Sequence, residues 1–160
     1  MKLTKRGEYA LRALIHLGLA QKQGRALVPV TELADKENMP VKFLEQILSL
    51  LKEQGLLESE RGAKGGYRLS QPMDSIRMGD VVRKVDGPLA PIGCVSLSAY
   101  DRCSCPDEEH CGLRLLMLDV RNAISNVLDR CTLQQTVEVT LRQRHADGRS
   151  NKTKKKKAAA

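Results

Sequence analysis

Thr31-Glu-Leu-Ala-Asp-Lys-Glu-Asn-Met-Pro40-Val-Lys-Phe-Leu-Glu-Gln-Ile-Leu-Ser-Leu50-Leu-Lys-Glu-Gln-Gly-Leu-Leu-Glu-Ser-Glu60-Arg-Gly-Ala-Lys-Gly-Gly-Tyr-Arg-Leu-Ser70 is the stretch on which the fold turns. Thr31 opens a short helix through Glu37, and Asn38-Met39-Pro40 makes a turn. Pro40 suits the first position of the next helix, where its missing N–H would be an orphan donor in any case. That helix runs from Val41 to Gln54, with Leu44, Ile47, Leu48 and Leu51 recurring at three- and four-residue spacing and Gly55 as its cap. A short helix and a longer one across a tight turn make a helix-turn-helix. Leu56–Arg61 and Gly66–Ser70 follow as two extended runs around Gly62-Ala-Lys-Gly65, a β-hairpin. A hairpin placed directly behind the second helix is a wing, and this order of elements is specific.

Working outward, residues 4–20 read as a helix with one broad apolar face, and Thr4 is its N-cap. Beyond the wing, Asp74-Ser75 caps a helix carrying Ile76, Met78, Val81, Val82 and Val85, which Gly87-Pro88 ends. Residues 88–112 form a loop rich in Cys, Gly, Pro and Ser. A loop of that length is either unstructured or organised by a ligand. A long helix then runs from Leu113 to about Arg130, with more apolar residues than a lone helix beside a small domain can bury. It reads as a dimerisation arm. The expected fold is mainly α: a winged helix-turn-helix over 1–86, a cysteine-bearing loop over 87–112, and a dimerisation helix with a C-terminal segment over 113–141. A basic tail over 142–160 is expected to be disordered.

The net charge of +8 is unevenly spread: +5 over residues 1–85, −4 over 86–141 and +7 over 142–160. The surplus in the first unit points to a polyanionic partner. With no Trp, one Phe and three Tyr, the chain lacks the material for an aromatic-lined ligand pocket or a base-stacking platform. No glycine-rich nucleotide loop, carboxylate pair or nucleophile–histidine setting is present, so no enzyme and no small-molecule substrate are expected. Arg12 and His16 interrupt the apolar run after Met1-Lys-Leu-Thr-Lys-Arg6, which argues against a secretory leader. No run approaches the ~18 apolar residues of a membrane span. The expected location is the cytoplasm, where five cysteines signify metal, redox chemistry or burial rather than a disulfide framework.

Double-stranded DNA is the partner that a winged helix-turn-helix implies. The first turns of its second helix meet base edges in the major groove. Lys42, Phe43, Glu45 and Gln46 occupy those turns. Glu45 can accept from a cytosine amino group, Gln46 can pair with adenine or bridge to phosphate, and Lys42 suits phosphate. Phe43 equally suits the core. At the hairpin tip, Arg61 and Lys64 sit beside glycines that allow close approach to the backbone or the minor groove.

Met1-Lys-Leu-Thr-Lys-Arg-Gly-Glu-Tyr-Ala-Leu-Arg-Ala-Leu14, Leu51-Lys-Glu-Gln-Gly-Leu56, Arg61-Gly-Ala-Lys-Gly-Gly-Tyr67 and Met78-Gly-Asp-Val-Val-Arg-Lys-Val-Asp-Gly87 together resemble the Rrf2 family of winged-helix regulators. The resemblance spans about residues 1–135. It implies a homodimer with crossed C-terminal helices on a pseudo-palindromic operator, and Glu45, Gln46 and Arg61 at positions used on DNA. Cluster-binding members carry three cysteines before the long helix. Cys111 matches the last and Cys105 the middle one. Cys94 is the natural first, with ten residues between it and Cys105, and Cys103 is an alternative first or an extra ligand. Arg114 stands where some members place a histidine ligand, and Glu8 matches an acidic position that others supply from the partner subunit. The implied cofactor is a [2Fe-2S] or [4Fe-4S] cluster, used to sense iron, redox state or nitric oxide. Zinc would also accept Cys94, Cys103, Cys105 and Cys111, though no Cys-x-x-Cys pair is present. A cluster-free regulator governed by thiols or a partner protein is the other alternative. Cys131 reads as a buried residue and His110 as a solvated one, its place beside Cys111 keeping it a minor ligand candidate.

Overall fold

In a computed structural model the backbone is described for residues 3–158 and the side chains for residues 3–146. Helix α1 (Lys5–Lys22) starts at Thr4, whose hydroxyl accepts from the Gly7 N–H at 3.1 Å. Thr4 also binds the Asp86 carboxylate through its own N–H at 2.8 Å, fastening the start of α1 to a later helix. Helices α2 (Val30–Glu37) and α3 (Val41–Glu53) are joined through Asn38, whose φ of 52° lies in the left-handed region that asparagine tolerates. Leu44, Ile47, Leu48 and Leu51 of α3 are fully buried.

Strands β1 (Leu57–Glu60) and β2 (Gly66–Leu69) pair antiparallel, Leu57 opposite Leu69 and Glu60 opposite Gly66. Gly62 turns the tip at φ 113°, a conformation closed to most side chains. Val28, in the loop before α2, exchanges both backbone hydrogen bonds with Tyr67 and so ties the wing to the helix-turn-helix.

Helix α4 is Met78–Asp86, shorter than expected at its start. Residues 73–77 are engaged elsewhere. The Leu133 N–H donates to the Ile76 carbonyl at 2.8 Å, that of Gln134 to Met73 at 3.1 Å, and that of Met78 to Cys131 at 2.9 Å. Backbone tied into that bridge cannot close a helical turn, so Asp74-Ser75 lies in a turn, with the Ser75 N–H donating to the Pro72 carbonyl at 3.1 Å, and is not a cap.

A single 3₁₀ turn, Gly93–Val95, interrupts the cysteine loop, and helix α5 (Gly112–Arg130) follows where the sequence placed it. None of its residues is buried within one chain, and Leu113, Leu115, Leu116, Val120 and Val127 are exposed. It is helix α6 (Leu133–Ala158) that returns to pack on α1. Leu133 and Val137 are fully buried in the same core as Leu14, Leu33 and Ile47, so the first unit's core is completed from the chain's last third. The α6 backbone continues past Leu141 into the basic stretch for which composition led us to expect no structure. Arg, Gln, Lys and Ala are good helix formers, and no proline intervenes. The rest of that expectation, residues 159–160 and the side chains from 147 on, lies outside the described residues.

Candidate nucleic-acid interface and cysteine site

The α3 core stripe fixes the opposite face of that helix outward. Lys42, Glu45 and Gln46 are all exposed on its first turns. Among the described residues, none of the three has a side-chain hydrogen bond or an ion pair. Phe43 is half-buried, its ring edge-on to Tyr9 with centroids 5.8 Å apart. Its first role in the structure is to seat α3 on α1, the core role that its type also suited. At the wing, Arg61 and Lys64 are exposed at the tip and free of carboxylates among the described residues. Arg68, on the hairpin body, is instead saturated by Glu58 at 2.9 Å and Glu60 at 2.7 Å. The wing's uncompensated positive charge is therefore concentrated at its tip. The turn between α2 and α3 is braced from α1: Arg12 and His16 both reach Glu37, His16 through Nδ1 at 2.9 Å, and the Arg12 guanidinium also donates to the Glu37 carbonyl.

The cysteine loop closes on a cleft of about 240 Å³ lined by Cys94, Cys103, Cys105 and Cys111 together with Arg102 and Arg114. Cys94 is buried in the 3₁₀ turn, and burial is the first cause of its raised pKa, with Cys103 next. Cys105 is pushed up to about 12 by the neighbouring thiols of Cys103 and Cys111 and by burial. Cys111 moves the other way. It is the N-cap of α5, and the backbone N–H of Arg114 above all holds its thiol below the usual cysteine range. The Cys105 and Cys111 sulfurs are 4.0 Å apart. Among the described residues, no three His, Cys, Asp or Glu side chains surround one point at metal-binding distance. The four thiols share a cleft without converging on a single ion.

Glu108 is a feature that sequence reading passed over. It accepts from the Tyr100 hydroxyl at 2.8 Å, stands 3.4 Å from Arg114 Nε and takes a long 3.9 Å contact from the Cys103 thiol. Arg114 lines the cleft as a cation, so it cannot serve as the ligand that a histidine there would be. His110 points to solvent and leans on Asp107 at 2.9 Å, and Cys131 lies at the α5–α6 junction, 3.4 Å from the Thr136 hydroxyl. Glu8 does not line the cleft. It lies on α1 between Lys5 at 2.8 Å and Arg12 at 3.4 Å, and the hydrogen bond from Lys5 first of all lowers its pKa.

The α5 helix links the cleft to the rest of the molecule. Its first residue follows Cys111, and at its far end Asp129 binds the Arg83 guanidinium of α4 at 2.6 Å while its carbonyl accepts from Arg77. Through Asp86 and Thr4, α4 is tied in turn to α1.

Residues 3–139 match the family model described as Rrf2, iron-dependent transcriptional regulator. The rrf2-like HTH-type transcriptional regulator of Rhodobacter capsulatus is 35% identical over 134 residues, which cover 82% of this chain and 89% of that protein. Among solved structures, CymR of B. subtilis, described as its global cysteine regulator, superposes with a TM-score of 0.73 at 29% identity, over 87% of this chain and 98% of that one. IscR of T. potens superposes with a TM-score of 0.67 at 26% identity, over 88% of each chain.

Proposed function

Because the chain belongs to the Rrf2 family and is a DNA-binding transcriptional regulator and not an enzyme, we propose that it grips a pseudo-palindromic operator as a homodimer under the control of an iron–sulfur cluster. The family description, the four-thiol cleft and the placement of Cys111 at the start of α5 support this reading. That last observation carries it, because a ligand on Cys111 acts directly on the helix that faces a second subunit. Cys94, Cys105 and Cys111 would hold the cluster. The donor set fits: thiolates on a loop around a sheltered cleft, one already favoured as thiolate by the α5 N-terminus. When bound, the cluster supplies a redox- and iron-responsive link across the loop.

The chain's own residues do the rest. Lys42, Glu45 and Gln46 address the major groove, and Arg61 and Lys64 address the flanking backbone or minor groove. The exposed apolar stripe of α5 mates with that of a second copy. Two recognition helices must meet major grooves roughly 34 Å apart. A change in the seating of α5 reaches them through Asp129–Arg83 and Asp86–Thr4. Among the described residues no helix is long and apolar enough to cross a membrane, and we place the protein in the cytoplasm with its DNA.

Zinc is the second reading. The 4.0 Å separation of Cys105 and Cys111 approaches the edge of a zinc–thiolate tetrahedron, about 3.8 Å for Zn–S bonds near 2.3 Å. The deciding experiment is a visible spectrum of protein purified without oxygen, with iron, sulfide and zinc analysis, followed by operator footprints with and without the cofactor. A coloured protein containing iron and sulfide whose footprint changes on cofactor loss is the expected result. A colourless protein that resists reconstitution would leave zinc or bare thiols, with DNA binding untouched.

A further inference from the structure

We infer that Cys103 is the fourth ligand of the cluster site, so that one chain supplies every donor as a thiolate and needs nothing from the partner subunit's Glu8. This rests on the cluster reading above and fills the position that reading leaves open.

Four observations converge on it. Cys103 lines the same cleft as Cys94, Cys105 and Cys111 and lies two residues before Cys105 on the same loop. Secondly, its position is fixed from behind: Glu108, held by the Tyr100 hydroxyl and by Arg114, takes the Cys103 contact. Ionisation of Cys103 on binding gives up that contact, and Arg114, 3.4 Å from Glu108, stands ready to offset the added negative charge. Thirdly, the other candidates are committed elsewhere. Glu8 would have to leave Lys5 and Arg12, and His110 is solvated on Asp107. Fourthly, four thiolates leave a bound cluster with net negative charge, and Arg102 and Arg114 line the cleft to offset it.

The test is reconstitution of full-length protein with ferrous iron and sulfide, comparing wild type with Glu8→Gln, Cys103→Ser, Cys103→Ala and Cys105→Ser. The readouts are iron and sulfide per chain, absorption, electron paramagnetic resonance of the reduced form, and the rate of iron loss to a chelator. Circular dichroism checks that each variant is folded. The expected result is that Glu8→Gln matches wild type in every readout. Both Cys103 variants should shift the charge-transfer bands and the resonance, and lose iron about tenfold faster or more. Cys103 variants with unshifted spectra, or a Glu8→Gln spectrum that shifts, would overturn the assignment while the cluster reading stands. A wild type that takes up neither iron nor sulfide would remove both.

Discussion

An arginine at a hairpin tip with no carboxylate beside it has only solvent or an anion to face, and Arg61 is in that position while Arg68, seven residues on, is fully matched. Replacing Arg61 with Ala should therefore weaken binding to all DNA sequences alike and lower the slope of log affinity against log salt by about one, as loss of one phosphate contact does. A titration of binding at several salt concentrations checks this. A change confined to particular sequences would instead place Arg61 on base edges. Glu45 and Gln46 predict the opposite pattern. Each Ala substitution should relax preference at a single position of the operator, by about 1–3 kcal/mol for a bidentate contact, with the salt slope unchanged. Binding to a panel of singly altered operators reads this out. These residues were legible in the sequence because helical spacing alone turns them away from the Leu44–Leu51 stripe. Cys103 was legible only as an alternative first or an extra ligand, and the choice between the two was not, since the path of a loop without periodicity carries no register from which to place a side chain.

Two elements at the C-terminal end divide the labour that the sequence had assigned to one. The exposed stripe Leu113, Leu116, Val120 and Val127 of α5 has nothing to cover it within a chain. Introducing Glu at both Leu116 and Val120 should give a folded monomer that loses the operator, as read by light scattering and by footprinting. A dimer that survives would move the interface elsewhere. Helix α6 is a core element: Leu133→Ala should cost about 2–5 kcal/mol by denaturant unfolding, the range for a leucine removed from a packed interior. Gly18 marks the same crossing from the other side, since a side chain there would meet Val137 at 2.7 Å and Met73 at 2.9 Å. The start of α6 carried a recognisable signal. Thr132-Leu-Gln-Gln135 is a reciprocal cap, with the Gln135 N–H donating to the Thr132 hydroxyl at 3.3 Å and the Thr132 N–H to the Gln135 side chain at 2.9 Å. Leu133, Val137 and Leu141 follow at helical spacing. What hid the element was the highly charged sequence beyond, which dominates the composition of the segment. The wing and the helix-turn-helix were legible because their punctuation is local. The start of α4 was not, because it is set by backbone pairing with residues more than 50 positions away.

Among the described residues, polar ties join α5 to α4 at Asp129 and α4 to α1 at Asp86, and the proposed coupling of the cleft to the DNA-facing surface runs through them. Arg83→Ala removes the carboxylate tie between α4 and α5, keeps the Arg77 bond to the Asp129 carbonyl and leaves the apolar core intact. It should therefore preserve folding and operator binding while bringing the ratio of affinities with and without cofactor towards one. Measuring both affinities for both proteins decides it, and an unchanged ratio would route the coupling through another contact. The return of α6 to the core has a further consequence, for how the protein is made. A ribosome releases the chain from its first residue onward, and the reading head cannot close its interior until Leu133 and Val137 have emerged. The dimerising arm has been synthesised in full by then. A chain ended near residue 130 should therefore lack part of its core and be cut faster by protease than the full chain, so that a nascent head gains its stability only after the arm that finds its twin.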